Sequence, residues 1–260
     1  MKYAIISKGD AFSNQVENNL HQKLAKLKMI NDQKHPEMVI TVGGDGTMLK
    51  AVHQYIDIIS DVVFVGVHTG KLGFYTDFIY DDVDSFIDKI AKDKYLDVSF
   101  PLLTSEVFNG TTRNVYNALN EFTLLNPYHT QHIDIYINDK YFESFQGTGL
   151  CISTPTGSSA FNKSLGGALL HPEIKAFQLT EIGSINSNVY RTISAPMIFP
   201  KAHYITLKSP DFTDVILTID HMHRNLEHYE EIKIYLSDEV VNFRHYNDND
   251  FWKRVQKSFL

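Results

Sequence analysis

The chain holds a single cysteine, Cys151, which excludes an internal disulfide framework and is compatible with a reducing compartment. Its setting, Gly-Leu-Cys-Ile-Ser, reads as a buried strand. No apolar run approaches the ~18 residues of a membrane span. The opening Met-Lys-Tyr-Ala-Ile-Ile-Ser is too short an apolar run for a secretory leader and reads as a first strand. A cytoplasmic protein is expected. Positive charge is not in excess: 24 Lys and Arg against 31 Asp and Glu leave a formal net charge of −7. That balance argues against a general nucleic-acid binder, although a local basic site for a phosphorylated ligand is compatible with it. Repeats, low-complexity segments and long linkers are missing. So are two common phosphate loops. There is no Gly-x-x-x-x-Gly-Lys-Ser/Thr, and Leu49 stands where Gly-x-Gly-x-x-Gly starting at Gly44 needs its third glycine.

What is present is an ordinary globular composition over 260 residues, 43% hydrophobic and 21% charged, enough for one large domain or two modest ones. The most informative stretch is residues 39–47, Val-Ile-Thr-Val-Gly-Gly-Asp-Gly-Thr. A continuous apolar run reads as a buried parallel strand. It ends in Gly43, Gly44 and Gly46 around Asp45, and a helical stretch begins at Thr47 and carries Lys50. Glycines let a ligand approach bare backbone, and a helix start offers free N–H groups and a positive dipole end, which suit phosphate. A carboxylate there would repel phosphate, so Asp45 calls for a metal, a hydroxyl or chemistry. A tight turn with an Asp cap is the plain alternative.

Strands and helices alternate over the first hundred residues. A strand covers residues 3–7, and Val16, Leu20, Leu24 and Leu27 form one helical stripe with Asn14 and Glu17 as its expected cap. A strand follows at residues 62–67. Val83, Phe86, Ile87 and Ile90 repeat at helical spacing behind Asp81 and Asp82. This pattern predicts a Rossmann-like α/β domain with a parallel sheet, in which ligands sit beyond the carboxyl ends of the strands. Residues 43–47 fall there, as does His-Thr-Gly-Lys-Leu-Gly-Phe at 68–74. From residue 101 the pattern changes. Asn109-Gly110 is a hairpin signal, Ile133, Ile135 and Ile137 alternate with polar residues, and strands are expected at 204–207, 215–219, 232–236 and 240–243. An antiparallel, β-sandwich-like domain is therefore predicted over 101–245, interrupted by a Gly/Ser/Thr-rich stretch at 153–170 that enters a short helix. Phe251, Trp252, Val255 and Phe259 predict a terminal helix, 246–260, that returns to the 1–100 domain.

Three features carry the chemistry: Gly-Gly-Asp-Gly-Thr at 43–47, Asn120-Glu121, and Thr-Pro-Thr-Gly-Ser-Ser-Ala-Phe-Asn-Lys-Ser at 154–164. In this order and spacing the set resembles the bacterial NAD kinase family, and residues 68–74 and Asn-Ser-Asn-Val-Tyr-Arg-Thr-Ile at 186–193 also look like it. The first motif alone is shared with lipid kinases and phosphofructokinases. The resemblance implies phosphoryl transfer from ATP or inorganic polyphosphate to the adenosine 2′-hydroxyl of NAD⁺, with Mg²⁺ or another divalent cation whose protein ligands are unknown, in a homotetramer whose neighbouring subunits complete each site. Phosphoryl transfer depends mainly on positioning and charge neutralisation. The glycine turn would hold donor phosphates, and Asp45 would accept the hydroxyl proton; a carboxylate is a weak base near neutrality, which matters less when the proton leaves late.

By the same resemblance Glu121 would accept from a ribose hydroxyl and Asn120 would meet an adenine edge. Thr156, Ser159, Ala160 and Phe161 would line the adenosine pocket, and Asn162, Lys163 and Ser164 would complete that segment, with Lys163 either touching phosphate or a solvated lysine. Phe74 would pack on a ring or in the core. Gly183, Ile185 and His221 are implied as dinucleotide contacts, and Tyr190 with Arg191 either as a site for the product 2′-phosphate or as a buried tyrosine with a structural ion pair. The sequence departs from the family at Phe161, usually Tyr, at Thr148, usually Asp, and at Gln146, often Arg. His221 and His223 share one strand face, but no third ligand is evident, so zinc is not expected. Two other readings stay open. One is a lipid or sphingoid-base kinase sharing the glycine–aspartate loop. The other is a non-catalytic dinucleotide sensor, for which Thr148 and Phe161 speak.

Overall fold

Fully apolar strands alternating with amphipathic helices leave one solution, a parallel sheet covered on both faces. The computed structural model describes residues 1–70, 73–110, 112–247 and 250–260. The chain divides into two compact units: Met1–Phe100 with Glu239–Leu260, and Pro101–Asp238. In the first unit β1 (Lys2–Ser7) pairs in parallel with both β2 (Ile30–Asn31) and β3 (Met38–Val42), Tyr3 lying opposite Met38. β3 continues in parallel to β4 (Val63–His68), which pairs with β5 (Phe78–Ile79) and with Asn242 and Phe243 of the long strand Glu231–His245. Every residue of β3 is buried. Helix α1 (Ala11–Lys26) buries Val16, Leu20 and Leu24 at four-residue spacing. Its N-cap is Asp10, whose carboxylate accepts from the Ser13 N–H at 2.8 Å. The Asn14–Glu17 cap expected from sequence is wrong, because the helix starts earlier and Asn14 lies inside it. Helices α2 (Asp45–Gln54) and α3 (Val83–Lys92) follow β3 and β5, and α3 buries Val83, Phe86 and Ile90.

The second unit is antiparallel. It begins on β6 (Leu96–Asn109), which forms a hairpin with β7 (Thr112–Ala118), Asn109 opposite Thr112. A six-stranded sheet runs in the order β13 (Met197–Pro200), β12 (Ala176–Ile182), β11 (Gly149–Ser153), β8 (Glu121–Leu125), β15 (Ile216–Ile219), β16 (Met222–Asn225). A second set runs β10 (Lys140–Gly147), β9 (Gln131–Ile137), β14 (Tyr204–Lys208), β17 (Glu231–His245). Alternate residues of both sets, among them Phe122, Leu124, Ile133, Ile135, Ile205, Leu207, Ile232 and Ile234, enter one core. Asn138 and Asp139, both at positive φ (48° and 64°), make the turn between β9 and β10. Residues 153–170 contain a 3-10 turn at Thr156–Ser159 and the short helix α4 (Phe161–Ser164). The two strands expected at 232–236 and 240–243 are one strand, β17.

In the first unit the terminal helix α5 (Phe251–Phe259) is capped by Asp250, which accepts from the N–H groups of Trp252 and Lys253. Phe251 and Arg254 are buried, whereas Trp252 faces outward, 54% exposed. Among the described residues no helix is long and apolar enough to cross a membrane.

Candidate functional site

The glycine–aspartate loop leaves the end of β3, with the Gly43 N–H held by the Val67 carbonyl at 3.0 Å. Gly44 occupies the N-cap position of α2 and has no side chain to bond the free N–H groups. Its carbonyl takes the Thr47 N–H at 2.9 Å. Gly43 and Thr47 are buried, Gly44 and Asp45 half-buried, Gly46 and Lys50 exposed. The helix end thus stays open to an incoming group. Asp45 reaches sideways rather than into its own turn. Oδ2 accepts from the Phe74 N–H at 2.9 Å and Oδ1 from the Tyr75 N–H at 3.0 Å. Gly73 makes this possible, because a Cβ there would lie 2.1 Å from Asp45 Oδ1. Phe74 is half-buried, its ring 6.0 Å from that of Phe251 and 5.8 Å from that of Phe259. Lys71 and Leu72 of the 68–74 phrase lie outside the described residues. His68, at the end of β4, is buried, with Nδ1 on the Gly70 carbonyl at 2.8 Å. Burial lowers its pKa.

In the second unit Asn120 and Glu121, 6% and 8% exposed, stand where β8 begins. Asp220, at φ 53°, fixes that strand end: its carboxylate accepts from the N–H groups of Leu119 (2.8 Å), Asn120 (2.7 Å) and Glu121 (3.2 Å). The opposite side is held by hydroxyls, Thr154 Oγ1 donating to the Leu119 carbonyl at 2.6 Å and Thr156 Oγ1 to the same oxygen at 3.1 Å. Gly157 packs so closely that a Cβ would lie 2.1 Å from the Asn120 carbonyl oxygen. Phe122 and Leu124 take the core face of β8, so Glu121 and Thr123 point to the other face. There they line a cleft of about 310 Å³ with Leu125, Phe161, Thr218 and residues 220–223.

Glu121 Oε2 is buried there without a hydrogen-bond partner among the described residues. Burial, and then the negative Asp220 nearby, push its carboxyl pKa up to about 8. Near neutrality it is therefore largely protonated and can donate as well as accept, which differs from the pure acceptor expected from sequence. Cys151 is buried on β11 and burial raises its thiol pKa.

The remaining candidates fall into separate places. Thr156 and Ser159 are buried, Ala160 is half-buried, and Phe161 is 41% exposed at the cleft with His221. Asn162 is fully buried; its amide donates to the Ser158 carbonyl and accepts from Thr180, so it holds the loop rather than facing a ligand. Lys163 and Ser164 are exposed. Gln146, Thr148, Gly183 and Ile185 form a second group: the Ile185 N–H meets the Gln146 carbonyl at 2.8 Å, and a Cβ on Gly183 would lie 2.7 Å from Thr148 Oγ1. None of the four lines the cleft, and neither does Tyr190, which is 45% exposed. Asp220 and Thr218 went unselected in the sequence, and Thr154 entered only as the first residue of the 154–164 motif.

Two family descriptions match the chain, the ATP-NAD kinase N-terminal domain over residues 11–95 and the C-terminal domain over residues 119–245. Among curated relatives, NAD kinase 1 of Listeria innocua is 43% identical over 265 residues, covering 100% of this chain and 99% of its own. The NAD kinase of Staphylococcus carnosus is 42% identical over 263 residues, covering 100% and 98%. Among solved structures, yeast NADH kinase complexed with NADH superposes with TM-score 0.82 at 18% identity, over 98% of this chain and 86% of that one. An NAD kinase from Archaeoglobus fulgidus in complex with ATP gives 0.77 at 18%, over 99% of each. At that identity the two structures speak for the fold. A lipid or sphingoid-base kinase, which shares the glycine–aspartate loop and a two-domain plan, is not favoured by a match to the ATP-NAD kinase C-terminal domain over residues 119–245. The chain belongs to the ATP-NAD kinase family.

Proposed function

We propose that the protein transfers the γ-phosphoryl group of ATP to the adenosine 2′-hydroxyl of NAD⁺, giving NADP⁺. Within this reading the open start of α2 holds donor phosphates through the backbone N–H groups of Gly44 and Gly46, while Gly43 and Thr47, whose N–H groups meet the Val67 and Gly44 carbonyls, shape the turn. Asp45 meets the attacking hydroxyl. Each of its oxygens accepts one backbone N–H and so retains a lone pair for that contact. Asn120 and Glu121 hold the acceptor, Asn120 on the adenine edge and Glu121 on a ribose hydroxyl. Phe161 supplies a stacking face.

Among the described residues no three His, Cys, Asp or Glu side chains converge on one point. A divalent cation would therefore be held mainly by the nucleotide phosphates, with Asp45 as the loop's only carboxylate, and would neutralise phosphate charge. The reading also takes in inorganic polyphosphate as an alternative donor, a cytoplasmic location and a homotetramer. Exposed apolar side chains at Ile185, Val189, Tyr190 and Ile193 support a subunit contact, through which the Gln146–Ile185 group would serve a neighbouring site.

The observation that carries the reading is the buried Asn120–Glu121 pair, clamped by Asp220 and Thr154 beside a cleft that fits part of a dinucleotide. Steady-state kinetics test it. Asn120→Ala and Glu121→Ala each raise the KM for NAD⁺ about ten-fold, the equivalent of one lost hydrogen bond, and leave the KM for ATP unchanged. An unchanged KM for NAD⁺ in both variants contradicts the assignment.

A further inference from the structure

The loop that grips Asp45 is itself gripped from behind. Arg254, on α5 and 8% exposed, sends Nη1 to the Gly73 carbonyl at 2.7 Å and to the Thr76 carbonyl, with the Phe74 carbonyl at 3.4 Å. The Gly73 carbonyl and the Phe74 N–H belong to one peptide group, and the Phe74 carbonyl and the Tyr75 N–H to the next. In a trans peptide the C=O and N–H point in opposite directions, and the chain has no cis bond among the described residues. Each of these two peptide groups therefore has the guanidinium on its oxygen side and the Asp45 carboxylate on its N–H side. A cation, a peptide dipole and an anion stand in line, an arrangement in which each hydrogen bond polarises the next. The guanidinium is steadied in turn by buried Asp77, whose Oδ1 lies 3.8 Å from Arg254 Nη2 and 3.4 Å from His245 Nδ1, while Oδ2 accepts from the N–H groups of Tyr246 and Asn247. One nitrogen, Nη1, serves the carbonyls while Nη2 turns toward Asp77, so the two ends of the guanidinium face different partners.

We infer that Arg254 is a positioning residue for phosphoryl transfer, aiming the Asp45 carboxylate through the Gly73–Phe74 and Phe74–Tyr75 peptide groups. The inference rests on the reading that Asp45 meets the acceptor hydroxyl. It places a residue of the terminal helix, far from both nucleotide motifs in sequence, in the geometry of the reaction, and it gives that helix a task beyond covering apolar surface. A misaimed carboxylate slows transfer without weakening the binding of either substrate.

The test compares Arg254→Met, Arg254→Lys, Asp45→Asn, the double variant Asp45→Asn/Arg254→Met, and Asp250→Ala, which removes the cap of the same helix without touching the loop. Kinetics for ATP and NAD⁺ are measured on the folded fraction, quantified by circular dichroism. Arg254→Met is expected to lower kcat at least ten-fold with both KM values within two-fold of the parent. Arg254→Lys falls between, and keeps the test open if the Met variant does not fold. Asp250→Ala lowers Tm and leaves kcat unchanged. In the Asp45→Asn background Arg254→Met removes nothing further, because both act through one carboxylate. Equal kcat losses in Asp250→Ala and Arg254→Met, or a full additional loss in the double variant, overturn the inference while leaving Asp45 in place. A parental kcat in Asp45→Asn overturns the role of Asp45, and the inference with it.

Discussion

Glu121 and Asp45 are both carboxylates at strand-to-loop junctions, and their surroundings push them to opposite uses. Asp45 receives two backbone N–H groups, which fix the direction of its carboxylate. Glu121 has a buried oxygen without a partner among the described residues and a carboxylate neighbour, which suit a neutral group. Because the folded-state pKa of Glu121 is raised to about 8, its contribution to stability is fullest below the ordinary glutamate range. That contribution declines as pH rises toward 8 and is constant above it. Glu121→Gln cannot ionise and escapes the decline. Its Tm relative to the parent should rise between pH 5.5 and 8.5, as read by thermal unfolding at several pH values; a pH-independent difference contradicts the protonated state. Gly73→Ala should lower kcat at least ten-fold, since the added methyl would lie 2.1 Å from Asp45 Oδ1 and force the carboxylate to move. Parental turnover in that variant would detach Asp45 from the loop. Asp45 itself was legible in the sequence, because three glycines around one carboxylate between a strand and a helix have few purposes. Its partners were not legible, since the N–H groups it accepts lie 29 and 30 residues on.

At the scale of elements, the start of β8 depends on Asp220, which ends β15 and satisfies three N–H groups of the neighbouring strand end. Asp220→Ala leaves those donors without their acceptor, at about 1–3 kcal/mol for each that water cannot reach. For a chain of this size that is a fall in Tm of roughly 5–10 °C. The KM for NAD⁺ should rise as Asn120 and Glu121 lose their setting. Calorimetry and kinetics on one variant read both, and a stable protein with parental KM contradicts the clamp. The strands and helices were largely readable because their apolar periods are clean: 3.6 in α1 and α3, 2 in β9, continuous in β3 and β4. Two expectations failed for local reasons. Asp10 outcompetes Asn14 as a cap because its carboxylate reaches the Ser13 N–H at 2.8 Å, a matter of where the chain leaves β1. Ser237, Asp238 and Glu239 look like a turn, yet β17 runs through them with a slip in its alternation, and the division between the two units falls between Asp238 and Glu239.

At the scale of the molecule, the family descriptions match each unit separately, residues 11–95 in one and 119–245 largely in the other. Sequence disclosed the two architectures through the change of period near Pro101. It could not disclose assembly, because a subunit contact leaves no periodicity. A homotetramer has a definite signature, a sedimentation mass near four times 29.8 kDa, which Val189→Glu at the exposed apolar patch should reduce. A monomer at every concentration contradicts the assembly and leaves the Gln146–Ile185 group without a neighbouring site to serve.

The central claim, transfer of phosphate to the 2′-hydroxyl of NAD⁺ through Asp45, meets its most direct test in one assay. Purified protein is given ATP, Mg²⁺ and NAD⁺, and NADP⁺ is followed with an NADP⁺-specific dehydrogenase, the parent beside Asp45→Asn. The account predicts steady NADP⁺ formation by the parent and a rate lower by about 10²–10⁴ in the variant. No NADP⁺ from ATP or polyphosphate, or equal rates from the two proteins, would contradict it.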